Sequence, residues 1–137
     1  MIVYLDSNVF ILAALSDNAK ATNAKELIKK IIVGGFTGIT SSLTIDEVVW
    51  SIWKETKDRE LAIEEGLRIL QFDNLKIAGI DSNIMKASLH FMQNYRSLKP
   101  RDAIHLAAAL DAGASVIVSD DSDFDGIKEI KRKSLLS

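Results

Sequence analysis

The sequence predicts a single α/β domain with a central, mostly parallel sheet and helices on both faces. Three observations predict it. Short apolar, β-branched runs recur at Ile2–Leu5 and at 36–40, 75–80 and 115–118. Segments with apolar residues at helical spacing separate them. Strands alternating with helices imply βα units, whose crossovers carry helices to both faces of a parallel sheet.

The elements follow in order. Ile2–Leu5 is continuously apolar, as in a strand buried on both faces, and Asp6, Ser7 and Asn8 supply capping side chains for a helix over 9–15. Ala24, Leu27, Ile28, Ile31 and Ile32 mark a second helix, which Gly34 and Gly35 end. After the second strand, Ser42 or Thr44 is a candidate cap for a helix with Ile45, Val48, Val49, Ile52 and Trp53 on one stripe. A helix over Arg59–Leu70 follows, with Ile63, Leu67 and Leu70 expected inward. Asp81 caps a helix through Met85, Leu89 and Met92. Pro100 opens the last one, which runs through Ala103, Leu106, Ala107 and Leu110 to Gly113.

The chain has 137 residues, a net charge of −2 and no cysteine, so disulfide frameworks and thiolate metal sites are excluded. No apolar run is long enough to cross a bilayer, and the N-terminus lacks the basic region of a signal peptide, so the cytoplasm is the expected location. The near-neutral balance of 17 basic and 19 acidic residues gives no strongly basic nucleic-acid footprint. A nucleic acid substrate stays admissible, because bound cations reverse the sign of an acidic pocket.

The acids fall where α/β sites form, beyond the carboxyl ends of strands. Asp6 follows the first strand, and Asp121 and Asp123 follow the fourth. Glu47 and Asp102 open helices, where the macrodipole alone would favour an acid by roughly 0.3–1 kcal/mol. Convergence of these carboxylates is costly: two unit charges about 4 Å apart repel by about 4 kcal/mol at an effective dielectric near 20. Either one acid takes up a proton or a cation neutralises the group. Oxygen donors without cysteine, and without a histidine pair at ligand spacing, favour Mg²⁺ or Mn²⁺ over Zn²⁺.

Four segments resemble, in order, the motifs of the PIN-domain family, especially the VapC-type toxins of prokaryotic toxin–antitoxin modules. They are Tyr4-Leu5-Asp6-Ser7-Asn8-Val9, Ser42-Leu43-Thr44-Ile45-Asp46-Glu47-Val48, Pro100-Arg101-Asp102-Ala103-Ile104-His105-Leu106-Ala107-Ala108-Ala109 and Val118-Ser119-Asp120-Asp121-Ser122-Asp123-Phe124. The third is the most specific, and Ser119 stands where Thr is common. The resemblance spans essentially the whole chain and implies a three-layer PIN-like fold with Mg²⁺- or Mn²⁺-dependent ribonuclease activity.

By the same resemblance Asp6, Glu47 and Asp102 take metal-binding positions. Asp121 and Asp123 both match the fourth acid. Ser7, Asn8 and Ser119 are supporting residues that orient carboxylates or a water, or cap helices. Hydrolysis by a metal-activated water leaves a 5′-phosphate and a 3′-hydroxyl. Arg101, Lys99 and Lys54 are candidate RNA contacts. His105, one helical turn beyond Asp102, is a candidate for touching a phosphate or a site acid, or a structural histidine. A small antitoxin protein, an RNA substrate and a second copy of the chain are the expected partners. The alternative is a non-catalytic, receiver-like or RNA-binding module that reuses the acidic pocket.

Overall fold

The computed structural model describes residues 1–136. Its strands are β1 (Ile2–Leu5), β2 (Thr37–Ser41), β3 (Leu75–Ala78), β4 (Val116–Val118) and β5 (Lys131–Lys133). Its helices are α1 (Ser7–Leu15), α2 (Ala19–Ile32), α3 (Ser42–Thr56), α4 (Arg59–Leu70), α5 (Ser82–Asn94) and α6 (Pro100–Asp111), with a 3₁₀ turn at Ser122–Phe124. The strands form one sheet in the order β3-β2-β1-β4-β5, parallel throughout.

Successive side chains of β1 face opposite sides of the sheet. Tyr4 enters the core beneath α5 and α6, together with Ile39 and Ile117. Val3 and Leu5 enter the other core, with Val9 and Phe10 of α1, Ile31 of α2, Val48 and Ile52 of α3 and Ile69 of α4. This is the expected three-layer arrangement, and it explains why β1 reads as apolar at every position. The alanines of α6 at 103, 107, 108 and 109 are buried, which lets the helix lie close on the sheet.

Five local expectations need correction. Helix α4 turns Ala62, Gly66 and Ile69 inward, while Leu67 is 55% and Leu70 50% exposed. The reason is close approach to α3: a Cβ on Gly66 would stand 2.7 Å from Val49 Cγ2. Helix α3 begins at Ser42 behind Ser41, with no side-chain cap. The Ser41 hydroxyl lies 2.9 Å from that of Tyr4, and Thr44 accepts from Thr40 at 2.7 Å, so these hydroxyls serve the buried strand ends. Glu47 therefore stands in the second turn of α3. Trp53, placed on the inward stripe, is 40% exposed, and Trp50 is 58% exposed; the two pack edge to face at the surface. The fifth strand, Lys131–Lys133, has no counterpart in the expected set and forms one edge of the sheet.

Among the described residues, no helix is long and apolar enough to cross a membrane.

Candidate metal centre

The strand order reverses direction at β1, which pairs with β2 on one side and β4 on the other. A crevice at such a point, beyond the carboxyl ends of the strands, is where this class of sheet binds ligands. Leu5 is in register with Val118, and the Asp6 amide donates to the Val118 carbonyl at 3.0 Å. Asp6 and Ser119 are thus carried side by side out of the two strands.

Asp6 is buried and heavily hydrogen-bonded. Its Oδ1 accepts from the Ser7 amide at 2.7 Å, capping α1, and lies 3.5 Å from the Ser7 hydroxyl. Its Oδ2 accepts from Ser119 Oγ at 2.7 Å and from Asn8 Nδ2 at 3.3 Å. Asn8 also reaches Ser119 Oγ and accepts from the Asp120 amide. Capping and a place in the candidate site thus coincide in one carboxylate, which Ser7, Asn8 and Ser119 all hydrogen-bond.

The acids gather in two adjoining groups. Asp6 and Glu47 form the first with His105, and Asp102, Asp121 and Asp123 form the second; within each group, one ligand atom per residue lies within 4.8 Å of the others. His105 and Asp102 share a face of α6 at i,i+3 spacing, which joins the groups. Asp121 Oδ1 accepts from the Asp123 amide at 2.9 Å, shaping the 3₁₀ turn that presents both aspartates to Asp102.

Asp102 lies in the first turn of α6, and its Oδ2 accepts from the Lys99 amide at 3.0 Å. Burial pushes its carboxyl up to about 7; the Lys99 N–H opposes this, while Asp121 and Asp123 reinforce it. The Lys99 ammonium, 2.8 Å from Asp123, holds that carboxyl below its ordinary range. One proton on Asp102 thus relieves the repulsion expected of converging acids. Asp120 pairs with Lys20 and Asp125 with Arg132, so both serve as surface ion pairs.

His105 does not reach the surface as an RNA contact would. It is 2% exposed, with Nε2 at 2.5 Å from Glu47 Oε1 and 3.4 Å from Asp6 Oδ1, and Nδ1 at 2.7 Å from the Tyr4 hydroxyl. Burial disfavours its charged form, but the Glu47 hydrogen bond and the charges of Asp6, Glu47 and Asp102 prevail and raise its pKa. Its spacing from Asp102 was the sequence signal for this role. Arg101, Lys99 and Lys54 are exposed around the acids' helices, as phosphate contacts require.

The donor set is oxygen-rich: its two groups of three offer five carboxylates and one imidazole. Such a set fits a hard dication better than zinc.

Comparison with known proteins bears on the fold and the family. No curated protein sequence matches the chain. Among solved structures, a toxin–antitoxin complex from Klebsiella pneumoniae has 23% identity and a TM-score of 0.67, over 93% of this chain and 94% of that one. VapBC2 from Rickettsia felis, bound to a DNA fragment from its promoter, has 16% identity and a TM-score of 0.73, over 98% of each chain. VapC20 of Mycobacterium tuberculosis, a sarcin–ricin loop cleaving toxin, has 14% identity and a TM-score of 0.75, over 93% of this chain and 98% of that one. These likenesses establish a shared fold. The PIN domain family model matches residues 3–130. The chain therefore belongs to the PIN domain family.

Proposed function

We propose that this protein is a Mg²⁺- or Mn²⁺-dependent ribonuclease, the toxin component of a toxin–antitoxin pair. The observation that carries the reading is the meeting of Asp6, Glu47, Asp102, Asp121 and Asp123 in two adjoining groups at the β1–β4 crevice. Family membership supports it, and so does a fold shared with a toxin described as cleaving the sarcin–ricin loop. The receiver-like alternative requires a second acid directly after the first, where this chain has Ser7.

In this reading Asp6, Glu47 and Asp102 bind the ion, with Asp121 and Asp123 sharing the fourth place. When bound, a hard dication supplies charge neutralisation at the phosphodiester and a water acidic enough to attack phosphorus near neutral pH. The protein's own work is positional. Ser119, Asn8 and the Ser7 amide hold Asp6 in one orientation, and the Lys99 amide does the same for Asp102. Arg101, Lys99 and Lys54 hold backbone phosphates of single-stranded RNA.

An antitoxin protein is the proposed partner, since the similar structures include toxin–antitoxin complexes. Exposed apolar residues on α3, α4 and α5, among them Trp50, Leu67 and Leu89, support association with that partner or with a second copy. The cytoplasm is the proposed location.

The test is cleavage of single-stranded RNA by the purified chain with Mg²⁺, with Mn²⁺ and with a chelator. Products bearing a 5′-phosphate that vanish on chelation are expected. A 2′,3′-cyclic phosphate, or cleavage indifferent to chelation, would overturn the reading.

A further inference from the structure

Three carboxylates at the centre of the site differ in how they are held. Asp6 accepts from the Ser7 amide, Asn8 and Ser119. Asp102 accepts from the Lys99 amide. Glu47, the longest and least buried of the three, has His105 as its one hydrogen-bond donor among the described residues, at 2.5 Å. A glutamate at the edge of a crevice has rotamers leading out to solvent, so this single bond decides whether Glu47 faces the site.

We propose that His105 is a positioning residue that holds Glu47, and secondarily Asp6, in ligating orientation, with Tyr4 fixing its ring from behind. The inference rests on the reading of these acids as metal ligands, and assigns the machinery that orients one of them.

The geometry is that of a braced strut. His105 uses both ring nitrogens, Nε2 toward Glu47 and Asp6 and Nδ1 toward the Tyr4 hydroxyl at 2.7 Å, so the imidazole cannot turn without losing a bond at one end. Tyr4 is fully buried, with its ring edge-on to the imidazole, and its hydroxyl lies 2.9 Å from that of Ser41. The line Ser41–Tyr4–His105–Glu47 ties β2, β1, α6 and α3 together, and neither ring is exposed enough to meet RNA. The Tyr4 hydroxyl donates to Ser41 Oγ, so its oxygen is left to accept from His105 Nδ1–H, and a ring that also carries its Nε2 proton donates at both ends. Partners of this outer kind fix ligand orientation, and their loss costs about 10–100-fold in metal affinity.

The experiment measures Mn²⁺ affinity directly, by calorimetry or by the electron paramagnetic resonance signal of free Mn²⁺, on wild type, His105→Ala, His105→Gln and Tyr4→Phe. Each variant's melting temperature is recorded, and binding is measured well below it. His105→Ala and Tyr4→Phe are expected to bind Mn²⁺ about 10–100-fold more weakly, and His105→Gln, whose amide N–H can reach Glu47, to recover most of the loss. If folded His105→Ala and Tyr4→Phe bind Mn²⁺ as wild type does, His105 is only a core histidine and the proposal is overturned. A Gln variant no better than Ala also overturns it. Should His105→Ala fail to fold, Tyr4→Phe, which removes a single oxygen, decides the matter. Wild type that binds no Mn²⁺ removes the metal reading itself, an outcome distinct from unaltered variants.

Discussion

The Ser119 hydroxyl donates to Asp6 Oδ2 at 2.7 Å, joining residues 113 positions apart in the sequence. The same oxygen accepts from the Asp121 amide at 3.0 Å, so one hydroxyl ties the first acid to the turn that carries the last two. Ser119→Ala leaves the partly buried Asp121 amide without this partner and Asp6 with one donor fewer. Unfolding in urea should show a loss of about 1–3 kcal/mol. Mn²⁺ affinity should fall about tenfold or more. Wild-type values for both would detach Ser119 from the site.

Asp102 gives the site a pH signature in the presence of a chelator. Its carboxyl is pushed up from 3.8 to about 7, so between those values the folded chain holds a proton that the unfolded chain has released. Stability then falls as pH rises through this window. His105, whose pKa is also raised, adds a loss of the same sign above 6.5. Asp123 and Asp125 are lowered, and their contribution is already complete above about pH 4. Melting temperatures in a chelator should therefore decline from pH 4.5 to 8, and Mg²⁺ should flatten the decline. A rise across that range would contradict the assigned proton.

Asp102→Asn separates binding from capping. The amide oxygen can still accept the Lys99 N–H, and the neutral amide, like the protonated carboxyl, sets no charge beside Asp121 at any pH. The variant should melt no lower than wild type in a chelator, and RNA cleavage should fall by at least about 100-fold, since outer partners alone are worth 10–100-fold. Wild-type cleavage rates from this variant would end the nuclease assignment.

Gly66→Ala tests the close contact of α3 with α4. Alanine gains about 1 kcal/mol of helix propensity, but its methyl would stand 2.7 Å from Val49 Cγ2. Overpacking of this kind costs about 1–3 kcal/mol, so a net loss is expected in urea unfolding. Leu67→Gln, one residue on and at the surface, should change stability by less than about 0.5 kcal/mol. Equal effects would mean that the inward face of α4 is misassigned.

What was readable in the sequence follows from which force acts alone. β1 is buried on both faces, so its side chains are uniformly apolar, and α6 announces itself through Pro100 at its start and Gly113 at its end. β5 was invisible because an edge strand is protected by charge, and Lys131-Arg132-Lys133 looks like a solvated tail. The inward face of α4 was misjudged because large apolar residues attract attention, whereas close helix packing selects Ala62 and Gly66. For the candidate site, positions at strand ends and helix starts pointed to acids that the fold brings together, although Glu47 stands one turn further into α3 than its helix start suggested. The spacing of His105 from Asp102 turns it toward the site acids, whereas its choice of Glu47, 58 residues away on α3, has no local signal.

The crevice at β1 and β4 has a consequence for synthesis on the ribosome. Asp6, Glu47 and Asp102 have all been translated by position 102, yet Ser119, Asp121 and Asp123 arrive only with the segment after β4. A nascent chain stalled before β4 has the first group of acids but neither the strand that seats Asp6 nor the turn that faces Asp102. On the proposed ribonuclease reading, cleavage competence is expected late and abruptly, and fragments terminated before β4 are expected to leave RNA uncut.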